Sequence, residues 1–425
     1  VAHGELFQSV ARRFNARGTL AWSLLSQQAT TALATPPLAR EEWSNMSLVR
    51  SLERAEVDAF YTLNEGRLAS VTREFTEHFS GRVLYAVKAN PLPKILHAVS
   101  RAGVAGFDVA SLAEAYLVHS TVPGARSWFM NPVKSRRDIE RTFRDLGVRD
   151  YVIDCEAELR KLLEALPLHD PEIRIYVRFK CSATCAIIDL NGKFGASPAE
   201  ASRLQDLVNA QSRWTTGLSF HPGSQTIVVD PYLHGIRTAV DIIEAVSPAP
   251  TALDIGGGFP GHYLNFPYHS PLRMLSEITK VVRGTDALKR VELLCEPGRA
   301  LVHDSISLFC RVILRKGEAL YCGAGIYSGL SPARQYFLLP TRAWRGGQPI
   351  QTEEWQDFII FGPTCDSMDR LGFSYSLPRD LSEGDWIEFQ NVGAYTDMAR
   401  FNGFSVDKIV AVGQDELTML PAAIQ

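Results

Sequence analysis

The sequence predicts an α/β protein: a (β/α)8 barrel followed by a C-terminal, mostly β domain. Three observations predict it. Eight short apolar segments alternate with helix-patterned stretches between residues 83 and 297. The segments are apolar almost throughout, as in parallel strands covered on both faces. After about residue 300 the long helical patterns stop and strand-like runs take over. Eight such units fit a closed barrel, with an open doubly wound sheet as the alternative.

The elements follow in order. Residues 1–56 read as an N-terminal helical extension and linker. Leu6, Val10 and Phe14 fall on one helix face, and "ATTALATPPLAR" follows as the linker. No apolar core of a secretory signal occurs there. Residues 57–300 read as the barrel domain, with "VDAFYTLN" (57–64) adding a strand to it. The eight barrel strands are "VLYAVK" (83–88), "GFDVA" (106–110), "SWFMN" (127–131), "YVIDC" (151–155), "IRIYVRF" (173–179), "GLSFH" (217–221), "ALDIGGG" (252–258) and "VELLCEP" (291–297). Residues 301–425 form the β domain, through "SISLFCRVILRKGEALYCG", "WQDFIIFG", "GDWIEFQNVGAYT" and "VDKIVAVG".

Composition narrows the function. The 425 residues make room for two domains, and 46% hydrophobic with 21% charged residues is ordinary for a soluble globular chain. The net charge is −3 and no basic block occurs, which argues against nucleic acid. No apolar run reaches the roughly 18 residues of a membrane span. Seven cysteines, an odd number in a large chain, fit a reducing cytoplasm. Cys181 and Cys185 are spaced like half a zinc site, but no second half matches them.

In a barrel of this kind chemistry sits at the C-terminal ends of the strands. Those ends carry Lys88, Asp108, Asn131, Arg178, His221, the Gly256–Gly258 run and Glu296, followed by Arg299. A lysine at one strand end is usually a surface lysine, and a lone histidine is usually structural. Polar or glycine residues at most of the ends read as a catalytic mouth. "DIGGGFPG" (254–261) has the glycines that let backbone N–H groups approach a phosphate. Arg299 adds a charge for the same phosphate, and Ser224 in "SFHPGS" a hydroxyl. A phosphate site, a lysine, a carboxylate and a flat side chain together fit pyridoxal 5'-phosphate. Lys88 is the amine for its aldehyde, and Glu296 the partner for its ring nitrogen. Desolvation at the mouth is expected to lower the pKa of Lys88.

At this point the chain resembles a known family, the fold-type III pyridoxal phosphate-dependent decarboxylases. It looks most like the eukaryotic-type ornithine decarboxylases and their bacterial ornithine/lysine relatives. "YAVKAN", "GFDVAS", "KFG", "SFHPGS", "DIGGGFPG", "EPGR", "GPTCDSMD" and "NVGAYT" occur in the family's order, over residues 57 to 415. The resemblance implies an alanine racemase-like barrel and β domain. It implies that Lys88 holds the cofactor, His221 stacks on its ring and Glu296 binds the ring nitrogen. Ser224, the backbone of Gly256, Gly257 and Gly258, Arg299 and Tyr395 would hold the phosphate. Asp108 and Arg178 would support the lysine and the ring from behind. It further implies a homodimer with shared active sites. Cys365 of one subunit would then reprotonate the substrate carbon in the other. Asp366 would meet the distal amine of the amino-acid substrate, with Tyr327 and position 324 beside it. Lys193 could pair with Asp369 across the interface.

The match fails at two places. The family's ornithine enzymes carry Asn-Asp-Gly before a tyrosine, where this chain has "YCGAGIYSGL" (321–330). Gly323 replaces the asparagine and Ala324 the aspartate that helps bind the distal ammonium. The pocket is expected to have less negative charge and more room. Pro222 also stands where a valine is usual. Three readings follow: an ornithine/lysine-type decarboxylase using Asp366 alone, a decarboxylase of an N-acylated, citryl-type diamino acid, or an inactive homologue that binds a partner. The first belongs to polyamine synthesis, and the second to siderophore or antibiotic synthesis. An amino-acid racemase shares the barrel and cofactor, but "CDSMD" fits the decarboxylases better.

Overall fold

The computed structural model describes residues 57–181, 185–395, 403–411 and 418–419. The helix and linker expected within residues 1–56 lie outside the described residues.

All eight expected segments form strands: Arg82–Ala86, Gly106–Val109, Ser127–Phe129, Asp150–Ile153, Arg174–Arg178, Thr215–Ser219, Ala252–Asp254 and Glu292–Cys295. They pair in parallel, in that order, and the eighth returns to the first to close the barrel. Most stop short of the apolar run that predicted them. The last residues of each run leave the ladder to line the mouth. Lys88, for example, lies past its strand in the single 3-10 turn Val87–Ala89.

Side chains alternate along each strand between the helices and the barrel interior. The interior middle is a small apolar cluster of Leu84, Trp128, Met130, Val152, Tyr176, Ala252 and Leu294. Tyr85, Phe107, Phe129, Tyr151, Ile175 and Leu253, the intervening residues, join the main core. The surrounding helices start where the sequence supplies caps. Ser135 and Ser111 each accept a hydrogen bond from the residue three ahead, and Ser197 with Glu200 forms a capping box. Gly147, at φ 69°, ends the helix Arg136–Leu146.

One expectation is corrected. The strand Ala59–Leu63 does not join the barrel. It pairs antiparallel with Ile306–Lys316, Ala59 opposite Cys310 and Leu63 opposite Ile306, and parallel with Lys408–Ala411. A closed ring of eight strands has no free edge to accept a ninth. The β domain offers such an edge, and all five residues of the strand are buried in it. The four runs expected to be strands after residue 300 are strands, with the first folded as a hairpin turning at Gly317. Thr341–Arg345, Tyr375–Pro378 and the small pair Ala186–Ile188 and Ser224–Thr226 were not foreseen. Among the described residues no helix is long and apolar enough to cross a membrane.

Candidate active site

The upper layer of the barrel interior is polar. Counting upward by twos from the apolar middle gives Lys88, Asp108, Arg178, Ser219, Asp254 and Glu296. Lys88 Nζ donates to Asp108 Oδ2 at 2.8 Å. The lysine is open to the mouth, while Asp108 is buried behind it. Desolvation opposes the charge on Lys88, but Asp108 and Glu296 outweigh it and raise the pKa of the amine. The lowered pKa expected from the sequence is therefore corrected: the carboxylates beneath the lysine decide the sign.

Glu296 is buried and its Oε1 has no hydrogen-bond partner. Burial, with Asp108 and Asp254 nearby, pushes its carboxyl well above the ordinary range. Asp108 Oδ1 is also buried without a partner. His221 Nδ1 accepts a hydrogen bond from the Gly223 N–H at 3.1 Å, so the neutral ring carries its proton on Nε2. Burial, with Arg178 and Lys88 close by, pushes the His221 pKa well down. The result is a flat, uncharged ring beside the lysine.

Next to it lies a cradle of backbone. A Cβ on Gly257 would meet the Glu296 carbonyl oxygen at 2.5 Å, and one on Gly258 the Gly223 carbonyl oxygen at 2.0 Å. Gly258 also has φ +88°, and its carbonyl accepts from the Thr226 N–H at 2.9 Å, which ties the cradle to the strand carrying Ser224. Arg299 is buried in an aromatic cage. Its Nη1 donates to the Tyr263 hydroxyl at 2.8 Å, and its guanidinium lies 4.6 Å from the Phe337 ring and 5.0 Å from that of Tyr395. No ion pair to Arg299 occurs among the described residues, and its Nε has no partner. Tyr395 holds a left-handed φ of 61°, and its N–H donates to the Ala89 carbonyl at 2.7 Å, beside Lys88. Such strain in a residue other than glycine gathers at functional sites.

Sequence reasoning passed over Asp254, Ser219 and Tyr263. The first two were legible as inward steps of their strands. Tyr263 sits in a loop, and nothing in the sequence marks it.

The β-domain candidates form a second group. Cys365 and Asp366 are exposed. The Tyr327 hydroxyl donates to Asp366 Oδ2 at 2.6 Å and the Met368 N–H to Oδ1 at 2.9 Å. Asp369 is buried, and it accepts from the Ile326 N–H and from the Thr364 N–H and hydroxyl. These hydrogen bonds hold the Asp369 carboxylate within the protomer; the expected pairing with Lys193 would join it to a second subunit. Ala324 is wholly buried in the main core, so the room expected beside it is not open space in the protomer. Gly323 has a local cause: a Cβ there would meet the Asp58 carbonyl oxygen at 2.3 Å.

An orphaned carboxylate oxygen, an arginine lacking a counter-ion and a glycine cradle that admits no Cβ fit a phosphorylated, nitrogen-bearing ring. Residues 65–303 match the family described as pyridoxal-dependent decarboxylase, pyridoxal binding domain. The chain belongs to the pyridoxal-dependent decarboxylases. It is 33% identical over 350 residues to the decarboxylase flvG of Aspergillus flavus, covering 76% of this chain and 78% of that one. It is 32% identical over 337 residues to the lysine/ornithine decarboxylase of Selenomonas ruminantium, covering 76% and 81%. Among solved structures, the lysine/ornithine decarboxylase of Vibrio vulnificus complexed with cadaverine matches with a TM-score of 0.74 at 27% identity, over 86% of this chain and 97% of that one. This decarboxylase is a carboxy-lyase acting on an amino acid with pyridoxal 5'-phosphate as its cofactor.

Proposed function

We propose that the enzyme decarboxylates an ornithine- or lysine-type diamino acid, as a cytoplasmic homodimer whose active sites draw on both subunits. The carrying observation is Asp366. It is exposed, and the hydrogen bond from Tyr327 holds its carboxyl below the usual carboxylate range. It therefore offers an anion to the distal ammonium of a substrate seated in the partner's mouth. The free state of all seven cysteines suits a reducing compartment.

The residues divide the work. Lys88, anchored by Asp108, would provide the amine that holds the cofactor. The Glu296 carboxylate would accept from the ring N–H, and His221 would stack on the ring. Arg299, Ser224, the Gly256–Gly258 backbone and Tyr395 would hold the phosphate, with Arg178 supporting the ring. When bound, pyridoxal phosphate supplies an electron sink for the α-carbon. The bond from that carbon to the carboxyl group breaks, CO2 leaves, and Cys365 Sγ returns a proton to the carbon.

A second reading rests on Gly323 and Ala324, which stand where the ornithine enzymes that the chain resembles carry asparagine and aspartate. An amide needs no second counter-ion, so an N-acylated diamino acid fits that pair better than free ornithine does. The test is CO2 release from free ornithine and lysine beside their N-acylated, citryl-type derivatives, in the wild type and Cys365→Ala. Turnover of a free diamino acid, with Cys365→Ala losing clean amine product, is the expected result. Turnover of acylated substrates alone moves the assignment to the second reading. Normal amine from Cys365→Ala removes the cysteine from the mechanism.

A further inference from the structure

Among the described residues, three that are not glycine hold a left-handed φ: Gln225 at 55°, Asn391 at 60° and Tyr395 at 61°. They come from distant parts of the chain, yet all three bear on one loop, residues 254–263. Tyr395 lies beside Arg299, which donates to Tyr263 in that loop. Asn391 Nδ2 donates to the His262 carbonyl at 2.9 Å. Gln225 grips Gly261. Its Nε2 donates to the Gly261 carbonyl at 2.7 Å, and the Gly261 N–H donates to its Oε1 at 3.0 Å.

Gln225 is buried, so both polar ends of its carboxamide are spent on a single residue. The reciprocal pair fixes the orientation of the amide, since a flipped one would set N–H against N–H. Gly261 is packed too closely to carry a side chain: a Cβ there would meet the His303 ring at 2.9 Å. Gln225 follows Ser224, and the next residue, Thr226, donates its N–H to the Gly258 carbonyl at 2.9 Å. The segment Ser224–Thr226 is thus stitched to the loop at Gly258 and again at Gly261. Two residues further on, Tyr263 receives Arg299. A left-handed φ strains any side chain, whereas glycine takes it freely. What glutamine adds at this position is the clasp.

We propose that Gln225 is a positioning residue for the cofactor phosphate: its carboxamide clasps Gly261 and so holds Ser224, the glycine cradle and Arg299 fixed relative to one another. The proposal rests on the reading of those three as the phosphate anchors. Anchors already in place bind a ligand more tightly, because they lose no freedom when it arrives. The clasp touches neither the lysine nor the ring, so its effect is confined to ligands that carry the phosphate.

The test compares binding of pyridoxal 5'-phosphate with that of 5'-deoxypyridoxal, which lacks the phosphate. Cofactor-free wild type, Gln225→Gly and Arg299→Met are titrated by fluorescence. Gln225→Gly removes the clasp and leaves no backbone strain behind. Its Kd for pyridoxal phosphate is expected to rise about tenfold, the scale of one or two lost hydrogen bonds, while that for the deoxy compound stays within about twofold. Arg299→Met is expected to show a larger loss, equally selective for the phosphate. An equal loss for both ligands in Gln225→Gly would make Gln225 a residue of the fold and overturn the proposal. So would a selective loss in Arg299→Met alone. No selective loss in Arg299→Met overturns the reading of the phosphate anchors itself. If Gln225→Gly does not fold, hydrogen exchange of the cofactor-free wild type decides. The Gly261 amide is expected to be protected before any cofactor binds, and free exchange there overturns the clasp.

Discussion

The barrel interior has a polar layer at each end, and the two are built on opposite principles. At the N-terminal end, Asp150 is buried but paired with Arg126 at 3.1 Å, and Glu292 with Arg174 and Arg82. Three arginines meet two carboxylates, and each acid has its own cation. At the mouth three acids stand over two cations: Lys88 pairs with Asp108, and Glu296 and Asp254 have no ion pair among the described residues. The apolar layer from Leu84 to Leu294 separates them. Both layers come from the same strands, a few inward steps apart. Charges ion-paired within the chain serve the fold, whereas charges left without an opposite partner are available to a ligand.

The largest expected effect lies at the mouth. Lys88→Ala should abolish covalent capture of the cofactor, read by borohydride reduction and mass spectrometry. It should lower kcat/KM by more than about a thousandfold, within the range of one positioned acid–base group. Retention of captured cofactor would remove the lysine from its role. Gly258→Ala comes next. Its Cβ would sit 2.0 Å from the Gly223 carbonyl oxygen at a φ unsuited to alanine. Strain of about 1–3 kcal/mol should weaken cofactor binding roughly 10- to 100-fold, measured by fluorescence titration. Unchanged affinity would mean that the cradle does not hold the phosphate.

The two layers were not equally legible in the sequence. Continuous apolar runs marked the barrel strands because burial on both faces leaves no alternation to misread. The upper layer showed itself through residues that interrupt those runs: Lys88, Asp108, Glu296 and the glycines. The lower layer went unnoticed, since Arg82, Arg126, Asp150, Arg174 and Glu292 stand at strand starts, where charge is ordinary. Ala59–Leu63 was misplaced because an apolar run states that it is buried, not which sheet buries it. Pairing depends on which edge is free, and that is a property of the whole fold. The sign of the Lys88 shift escaped for a similar reason. Desolvation follows from position alone, but the opposing carboxylates come from strands that are distant in sequence.

The smallest expected effect probes the lower layer. In Arg126→Met, Asp150 keeps its buried position and loses its closest cation, while Arg174 remains within electrostatic reach. The arginine is about half exposed, so solvent already screens the pair. A loss of about 1–2 kcal/mol follows, below that for breaking a fully buried pair, and kcat should stay within about twofold of wild type if the layer serves only the fold. The loss should depend on pH. Burial already raises the Asp150 pKa above its ordinary value, against the pull of Arg126. Removing Arg126 raises it further in the folded state and leaves the unfolded state unchanged. A carboxyl whose folded pKa lies above its unfolded one favours folding in acid, and that contribution is lost as pH rises through the folded value. The gap in Tm between wild type and variant should therefore widen from acid towards neutral pH. A gap independent of pH would mean that Arg126 acts through its packing on Trp128, 4.5 Å from the ring centroid, and not through charge. A large fall in kcat with Tm unchanged would join the two layers functionally and break the division between them.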